Sequence, residues 1–162
     1  MIKFGTGGWR AIIADGFTKA NVQKLSTALA LKMKNEGNVD GGVIIGYDRR
    51  FLSKEAAAWM AEIMAAQQIP CKVLNKEAPT PMVMFSVKYY EAAYGMSVTA
   101  SHNPAIYNGI KVFTKGGRDA DETVTADIEK YISEIQDEDI KTVSYEDALN
   151  RGLVNIINPQ NY

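Results

Sequence analysis

The chain has 162 residues, of which 46% are hydrophobic and 23% charged, and its formal net charge is -1. This length and composition are typical of one globular domain and exclude an intrinsically disordered chain. The balance of charge argues against a general nucleic-acid or membrane-surface binder, since both classes need an excess of Lys and Arg.

The single cysteine and the N-terminal sequence indicate a cellular compartment. Cys71 cannot form an internal disulfide, and we expect it to be a buried thiol in a reducing environment. Residues 1–5 do not begin a long apolar signal sequence, and no apolar stretch approaches the ~20 residues that span a bilayer. The sequence therefore predicts a cytoplasmic protein.

The first half of the chain predicts helices that alternate with strands. Apolar residues at helical spacing predict a helix over 18–33, capped by its first residue and ended by Gly37. A β-branched run predicts a strand over 42–47 that is covered on both faces. A second helix is predicted over 53–68, with the serine at its start as the N-cap.

The second half of the chain continues this alternation. The predicted elements are a strand over 71–74, a helix opened by Pro79-Thr80-Pro81, strands over 94–99 and 110–114, and a helix over 121–136. The strand over 110–114 is expected to return beside the strand before it.

Strands that alternate with helices indicate an α/β protein. We predict a three-layer α/β/α sandwich with a mixed, mostly parallel sheet. Residues 1–140 are predicted to form this domain. Residues 141–162 are polar and less regular, and we expect them to be a C-terminal segment and linker.

The sequence T-A-S-H-N-P over 99–104 follows a predicted strand, and ligands of α/β sheets bind at the carboxyl ends of strands. An acyl-transfer role for Ser101 is disfavoured, because the G-x-S-x-G elbow is absent and consecutive side chains on extended backbone point apart. A phosphorylated serine would need cations and amide donors, which Lys111, His102, Asn103 and an arginine would supply. A polar loop with Asx-turn chemistry stays an open interpretation.

The N-terminal sequence F-G-T-G-G-W-R over 4–10 contains three glycines within four residues. Glycines let backbone amides approach an anion closely, and the guanidinium of Arg10 suits phosphate oxygens. The sequence is not a Walker A loop, because it lacks G-K-[ST]. A plain glycine turn is an equally consistent interpretation.

Two charged clusters have structural as well as functional interpretations. Residues 48–50, Asp-Arg-Arg, follow the strand over 42–47 and would either bind phosphate or form an ion pair that shapes the loop. We favour the ion pair. The acidic residues within 118–122 precede a helix, and capping of the positive helix end is favoured over metal binding.

Four segments, in this order, resemble motifs of the α-D-phosphohexomutase superfamily, the phosphoglucomutases and phosphomannomutases. Residues 4–10 resemble the family's F-G-T-x-G-x-R, and G-Y-D-R-R over 46–50 resembles its G-x-D-x-R. A-P-T-P over 78–81 resembles its helix-opening P-T-P. The segments over 99–104 and 108–111 resemble its phosphoserine loop, T-A-S-H-N-P followed by N-G-I-K. The match is to the first, N-terminal domain of that family.

The resemblance implies an intramolecular phosphotransferase of the isomerase class. Ser101 would carry the phosphoryl group that moves between the 1 and 6 positions of a hexose through a hexose 1,6-bisphosphate. Lys111 would act as general base or charge stabiliser, Arg10 would stabilise the transferring group, and His102 would assist proton transfer. Phosphate or substrate binding is implied for the remaining pocket residues, Thr6, Gly7, Gly8 and Asn103.

The resemblance also implies cofactors and partners. Mg²⁺ would bind through the phosphate of Ser101, and glucose 1,6-bisphosphate would be activator and intermediate. The family's other metal ligands belong to a D-G-D-x-D-R sequence of a second domain, which this chain lacks, as it lacks the G-E-x-S-G and R-x-S-G-T-E-P sequences of domains 3 and 4.

We therefore expect a chain that is catalytically incomplete alone. Its partners would be a hexose phosphate and domains 2–4 of the same polypeptide, with no nucleic acid and no membrane. The alternative is a stand-alone sugar-phosphate-binding module, which would use the glycines and Arg10 without a phosphorylated serine.

Overall fold

The computed structural model describes residues 1–5 and 8–162, so the expectations for Thr6 and Gly7 lie outside the described residues. The strands are β1 (Gly8–Ile12), β2 (Val43–Tyr47), β3 (Cys71–Leu74), β4 (Tyr94–Val98), β5 (Tyr107–Thr114), β6 (Arg118–Asp119) and β7 (Val154–Ile157). The helices are α1 (Lys19–Glu36), α2 (Ser53–Ala66), α3 (Thr80–Tyr89), α4 (Glu122–Glu134) and α5 (Tyr145–Asn150).

These strands form one sheet in the order β1-β5-β4-β2-β3-β7, with β6 beside β5. The neighbours β4, β2, β3 and β7 run parallel, whereas β5 is antiparallel to β4, β1 and β6. The sheet is therefore mixed, as predicted: among the described residues three strand pairs are parallel and three antiparallel, and β5 is the strand that runs against the others. The strand predicted over 110–114, which is expected to return beside the strand before it, is β5. It begins at Tyr107, three residues earlier than predicted.

Helices cover both faces of the sheet. Val43 and Ile45 of β2 belong to the larger core, which also takes buried residues from α1, α2, α4 and α5. Ile44 belongs to a second core, in which α3 packs through Val83 and Val87. Because successive strand residues point to opposite faces, the two cores lie on opposite sides of β2. This confirms the three-layer α/β/α sandwich.

Most helix ends follow the local sequence, with one exception. The hydroxyl of Thr18 accepts a hydrogen bond from the backbone N–H of Asn21, and Gly37 ends α1 at a φ of 72°. The predicted N-cap at Ser53 is wrong. Leu52 precedes α2 at a φ of 68°, and the hydroxyl of Ser53 donates to Asp48 instead. The Ser53 hydroxyl donates to Asp48 and accepts from the Asn108 side chain, and these tertiary contacts stand in place of the predicted cap.

The segment over 141–162 contains α5 and β7. β7 pairs with β3 in parallel, with Val154 opposite Cys71 and Ile157 opposite Leu74. The sequence pattern hides this strand, because its two middle residues are exposed and only its ends are buried. The domain boundary at residue 140 and the linker role stay predictions. Within the described ranges, no helix is both long enough and apolar enough to cross a membrane.

The first prediction concerns the buried thiol of Cys71, whose side chain is 1% exposed. Burial raises its pKa from 9.0 to about 12, against a smaller opposing effect of Lys72. The native state therefore keeps this thiol neutral above pH 9, where the unfolded chain ionises it, and the stabilisation present below pH 9 is lost as pH rises.

We expect Cys71 to lower the free energy of unfolding by about 1.4 kcal/mol per pH unit above that point. Urea unfolding of the wild type and of Cys71→Ala, compared across this alkaline range, measures the difference. The tyrosines that also titrate there are common to both proteins. Parallel pH profiles for the two proteins would contradict the expected contribution.

The second prediction concerns Gly109 of β5. A Cβ atom at this position would lie 2.0 Å from the carbonyl oxygen of Trp9 and 3.0 Å from the Cα of Arg10. We expect Gly109→Ala to destabilise the protein by about 2–4 kcal/mol, because strand backbone must move to admit the methyl group. Gly5→Ala is the control, since its Cβ would be 3.7 Å from the nearest atom. Equal urea midpoints for both variants would refute the clash.

Candidate functional site

Ser101 lies in the turn that follows β4, where its side chain is exposed. Its backbone adopts a left-handed conformation with a φ of 54°. Its backbone N–H donates to the hydroxyl of Thr99 at 3.0 Å. A residue other than glycine rarely adopts this conformation, which costs about 1–3 kcal/mol. The surrounding contacts must therefore hold the hydroxyl in this position.

Arg50 supplies most of the contacts that hold the loop. Its Nη1 donates to the carbonyl oxygens of Pro104 and Tyr107, at 2.9 and 3.0 Å. Its Nη2 donates to those of Ser101 and Asn103, at 2.8 and 2.6 Å. One guanidinium thus binds four backbone carbonyls of the loop that carries the serine.

Asp48 holds Arg50 in place and links the loop to a buried network. Its Oδ1 accepts hydrogen bonds from the backbone N–H of Arg50 and the hydroxyl of Ser53, and its Oδ2 lies 3.7 Å from the Arg50 Nε. Asn108, which is fully buried, donates to the Ser53 hydroxyl at 2.9 Å. The favoured ion-pair interpretation of residues 48–50 is confirmed for Arg50, whereas Arg49 is exposed.

Arg10 reaches the same loop from β1. It lies opposite Gly109 in the β1–β5 ladder, and its Nη1 donates to the Oδ1 of Asn103 at 2.9 Å. Its neighbour Trp9 packs into the larger core on the opposite face of the sheet. Strand alternation therefore turns Arg10 toward the loop, where its partner lies two residues from Ser101. The structure brings together four predicted site residues, namely Arg10, Ser101, His102 and Asn103.

His102 lies beside the serine and is also exposed. Its Nδ1 is 3.4 Å from the hydroxyl oxygen of Ser101. The expectation that these two side chains point apart is wrong here, because it assumed extended backbone and residue 101 is left-handed. An imidazole at this distance forms a long hydrogen bond with the hydroxyl and can exchange a proton with it after a small movement.

Lys111 lies farther along β5, opposite Gly8 of β1 and Ser97 of β4. Its ammonium pairs with the Oδ1 of Asp119 at 3.3 Å rather than with Ser101. The Asp119 side chain is 54% exposed, and such an exposed ion pair is stabilising by less than about 1 kcal/mol. Lys111 is thus held at Asp119, and the structure does not place its ammonium at the serine.

The acidic residues around 118–122 have separate roles. Asp121 caps α4 by accepting a hydrogen bond from the backbone N–H of Val124 at 3.0 Å, as expected. Asp119 instead pairs with Lys111, which the sequence pattern did not reveal. Over residues 1–5 and 8–162, no group of three His, Cys, Asp or Glu side chains is arranged to hold a metal ion.

An open groove of about 550 Å³ runs beside the serine loop. It is lined by Asp48, Arg49, Arg50, Phe51, Asn103 and Ala105. The side chain of Phe51 is 70% exposed at this edge. Two contributors to this site were not predicted from the sequence, namely the carbonyl contacts of Arg50 and the buried Asn108. The available signal was the placement of both residues within segments that resemble family motifs.

Comparisons with known proteins agree with this architecture. A family model described as phosphoglucomutase/phosphomannomutase, alpha/beta/alpha domain I, matches residues 1–139. A phosphoglucomutase of Staphylococcus haemolyticus is 32% identical over 137 residues, which are 83% of this chain and 25% of that protein. A phosphoglucomutase of Staphylococcus aureus strain RF122 is 34% identical over 139 residues, again 25% of that protein.

Solved structures give the same result for the fold. A Thermus thermophilus protein, provisionally described as a phosphomannomutase, superposes with a TM-score of 0.82 and 28% identity, covering 97% of this chain and 33% of that one. The Paramecium phosphoglucomutase pp63/parafusin in an open form superposes with a TM-score of 0.78 and 20% identity, over 98% of this chain and 33% of that one. The second likeness concerns the fold alone.

This chain thus spans about a quarter of the length of the curated relatives that it matches. The matched region includes the serine loop, the Arg50 contacts and the Arg10 strand. The chain belongs to the phosphoglucomutase/phosphomannomutase family and corresponds to its alpha/beta/alpha domain I.

Proposed function

We propose that this chain is the phosphoserine-carrying domain of a phosphohexomutase, an isomerase that moves phosphate between the 1 and 6 positions of a hexose. The observation that carries the proposal is the exposed, left-handed Ser101 at the end of β4, in a loop that Arg50 contacts at its carbonyls and Arg10 contacts at Asn103. Membership of the family supports the reaction class.

The residues around Ser101 suit a phosphorylated serine. A phosphoserine has a charge of about −1.5 to −2 and needs cationic or N–H donors. Arg10 contacts Asn103 at the loop, and His102 lies beside the hydroxyl. Phosphoryl transfer depends mainly on positioning and on charge stabilisation at the phosphoryl oxygens, and these are the properties that this loop supplies.

In the proposed step, the hydroxyl oxygen of Ser101 attacks a phosphorus atom of hexose 1,6-bisphosphate. The Oγ–P bond forms while the bond from phosphorus to the sugar oxygen breaks. The hydroxyl proton passes, by way of His102, to the departing sugar oxygen, and hexose monophosphate is the product. The phosphoserine then transfers this phosphoryl group to the free hydroxyl of a hexose monophosphate that is phosphorylated at the other position, which regenerates hexose 1,6-bisphosphate and the Ser101 hydroxyl. Lys111, once released from Asp119, would serve that sugar hydroxyl as base or charge stabiliser.

Magnesium is the metal that the family implies. A phosphate on Ser101 would offer Mg²⁺ the oxygen ligands that it prefers. The nearby Asp48 carboxylate already accepts hydrogen bonds from Arg50 and Ser53, so the residues around Ser101 fit one ligand position, that of the phosphate. We propose that Ser101 binds the metal through its phosphate, with the other ligands outside the described residues. When bound, the metal would neutralise charge on the transferring group.

Thr6, Gly7, Gly8 and Asn103 are proposed as phosphate or substrate contacts. For Gly8, a supporting observation is its position opposite Lys111, where a Cβ would lie 3.2 Å from the Lys111 Cγ. We propose that residue 8 is glycine partly because the lysine side chain crosses it. Asn103 supports the proposal by joining Arg10 to the serine loop.

The third prediction tests the phosphoserine. Incubation of the chain with glucose 1,6-bisphosphate should add about 80 Da to the peptide that contains Ser101. Phosphatase should remove the added mass, and a second incubation should restore it. Ser101→Ala should abolish the labelling, whereas Ser133→Ala should retain it, since Ser133 belongs to α4, away from the serine loop. Intact-protein and peptide mass spectrometry measure both.

Binding of the bisphosphate without labelling would contradict the phosphoserine and favour the alternative, a sugar-phosphate-binding module. Isothermal titration with the unlabelled chain separates these two outcomes, because a binding module retains heat of binding in Ser101→Ala and in the wild type alike.

The fourth prediction concerns catalytic completeness. We expect no mutase turnover when the chain is mixed with glucose 1-phosphate, glucose 1,6-bisphosphate and Mg²⁺, because the proposed substrate contacts of domains 2–4 are not part of it. A coupled assay for glucose 6-phosphate measures this. Turnover at rates typical of complete enzymes, about 1–10³ per second, would refute the expectation.

A further inference from the structure

We propose that Arg50 is a positioning residue for the reaction of Ser101. It acts through the backbone carbonyls of the loop and not through contact with the sugar phosphate. This inference rests on the proposed function and deepens it, because Arg50 is not one of the residues proposed to contact the phosphate or the substrate.

The hydrogen-bonding capacity of Arg50 is already used within the protein. Its two terminal nitrogens donate four hydrogen bonds to carbonyl oxygens of the loop, and its Nε faces Asp48. Four of the five N–H donors of the guanidinium are therefore hydrogen-bonded to the loop, and the fifth, on Nε, lies 3.7 Å from the Asp48 Oδ2. The side chain is also only 15% exposed. Arg50 therefore influences Ser101 through the loop.

The carbonyl contacts set the direction of a backbone donor. In a trans peptide the C=O and N–H groups point in opposite directions. Because the carbonyl of Ser101 points to Arg50, the N–H of His102 points away from it, toward the exposed side of the loop. Within residues 1–5 and 8–162 this N–H has no hydrogen-bond acceptor. It is thus available to an anion on Ser101.

Lysine cannot replace Arg50 in this role. Four carbonyl oxygens of the loop accept hydrogen bonds from the planar, forked guanidinium of Arg50. The ammonium of a lysine is a compact point charge with three donors. Loss of the guanidinium would remove a hydrogen bond from each of the four carbonyls, of which those of Asn103 and Tyr107 are in part-buried contacts, and would release the left-handed backbone at Ser101.

The test uses the labelling of Ser101 by glucose 1,6-bisphosphate, with its rate measured as a function of bisphosphate concentration. For Arg50→Lys and Arg50→Met we expect the maximal rate to fall by about tenfold to hundredfold. The half-saturating concentration should stay within about twofold, because four of the five donors of Arg50 are bound to the loop and the fifth faces Asp48. Asp48→Asn weakens the support of Arg50 without removing its carbonyl bonds, and its maximal rate should fall by less.

Arg151→Met is the matched control, because Arg151 is exposed at the end of α5 and distant in sequence from the loop. It should label at the wild-type rate. Thermal unfolding of each variant shows that the compared proteins are folded at the assay temperature, and Asp48→Asn keeps the test available if both Arg50 variants unfold.

The outcomes separate the two proposals. If the wild type is labelled and both Arg50 variants have the wild-type maximal rate, the positioning role alone is overturned. A higher half-saturating concentration in the variants, at an unchanged maximal rate, would overturn it as well. Rescue of the maximal rate by Arg50→Lys would also overturn it, since charge and not the fork would then suffice. No labelling of any protein, the wild type included, would overturn the proposed function together with this inference.

Discussion

The contact between the Arg50 guanidinium and four backbone carbonyls is the interaction on which the site depends. The loop over 101–107 is mostly exposed and has no strand or helix of its own to fix it until β5 begins. Its serine is held in a conformation that costs free energy. The four hydrogen bonds, together with the support from Asp48, offset that cost and give the loop one shape. The hydroxyl at position 101 is therefore presented to solvent by a rigid support.

The antiparallel strand β5 connects this support to the N-terminal strand. It pairs with β4 on one side and with β1 on the other, so the turn after β4 and the side chain of Arg10 meet at one edge of the sheet. The close approach of β1 to β5 requires a residue without a side chain at Gly109. The buried amide of Asn108 then links β5 to Ser53 at the start of α2 and, through the Ser53 hydroxyl, to Asp48. Strand pairing and side-chain hydrogen bonds thus both connect β5 to the residues that hold the serine loop.

The exposure of the site agrees with the position of this chain within its family. Ser101, His102 and the groove beside Arg49 are accessible from outside the domain, and the matched segment is 25% of a curated relative's length. The phosphoryl transfer proposed for Ser101 requires such access. The ion pair between Lys111 and Asp119 is exposed enough that a ligand can compete for the lysine at small cost.

The sequence alone determined the α/β class and the order of the main helices and strands up to residue 136, because apolar spacing at the helix and strand periods and the turn residues are local signals. It also identified the residue types of the loop over 99–104 and their resemblance to a phosphoserine loop. Only the tertiary structure decided that Arg50 binds four carbonyls, that Ser53 serves Asp48 instead of capping α2, and that Lys111 pairs with Asp119. It also decided that the weakly patterned residues over 154–157 form an edge strand. Each of these contacts joins residues from different loops or strands. Their distance in space depends on how the whole chain folds, and the local sequence does not encode it.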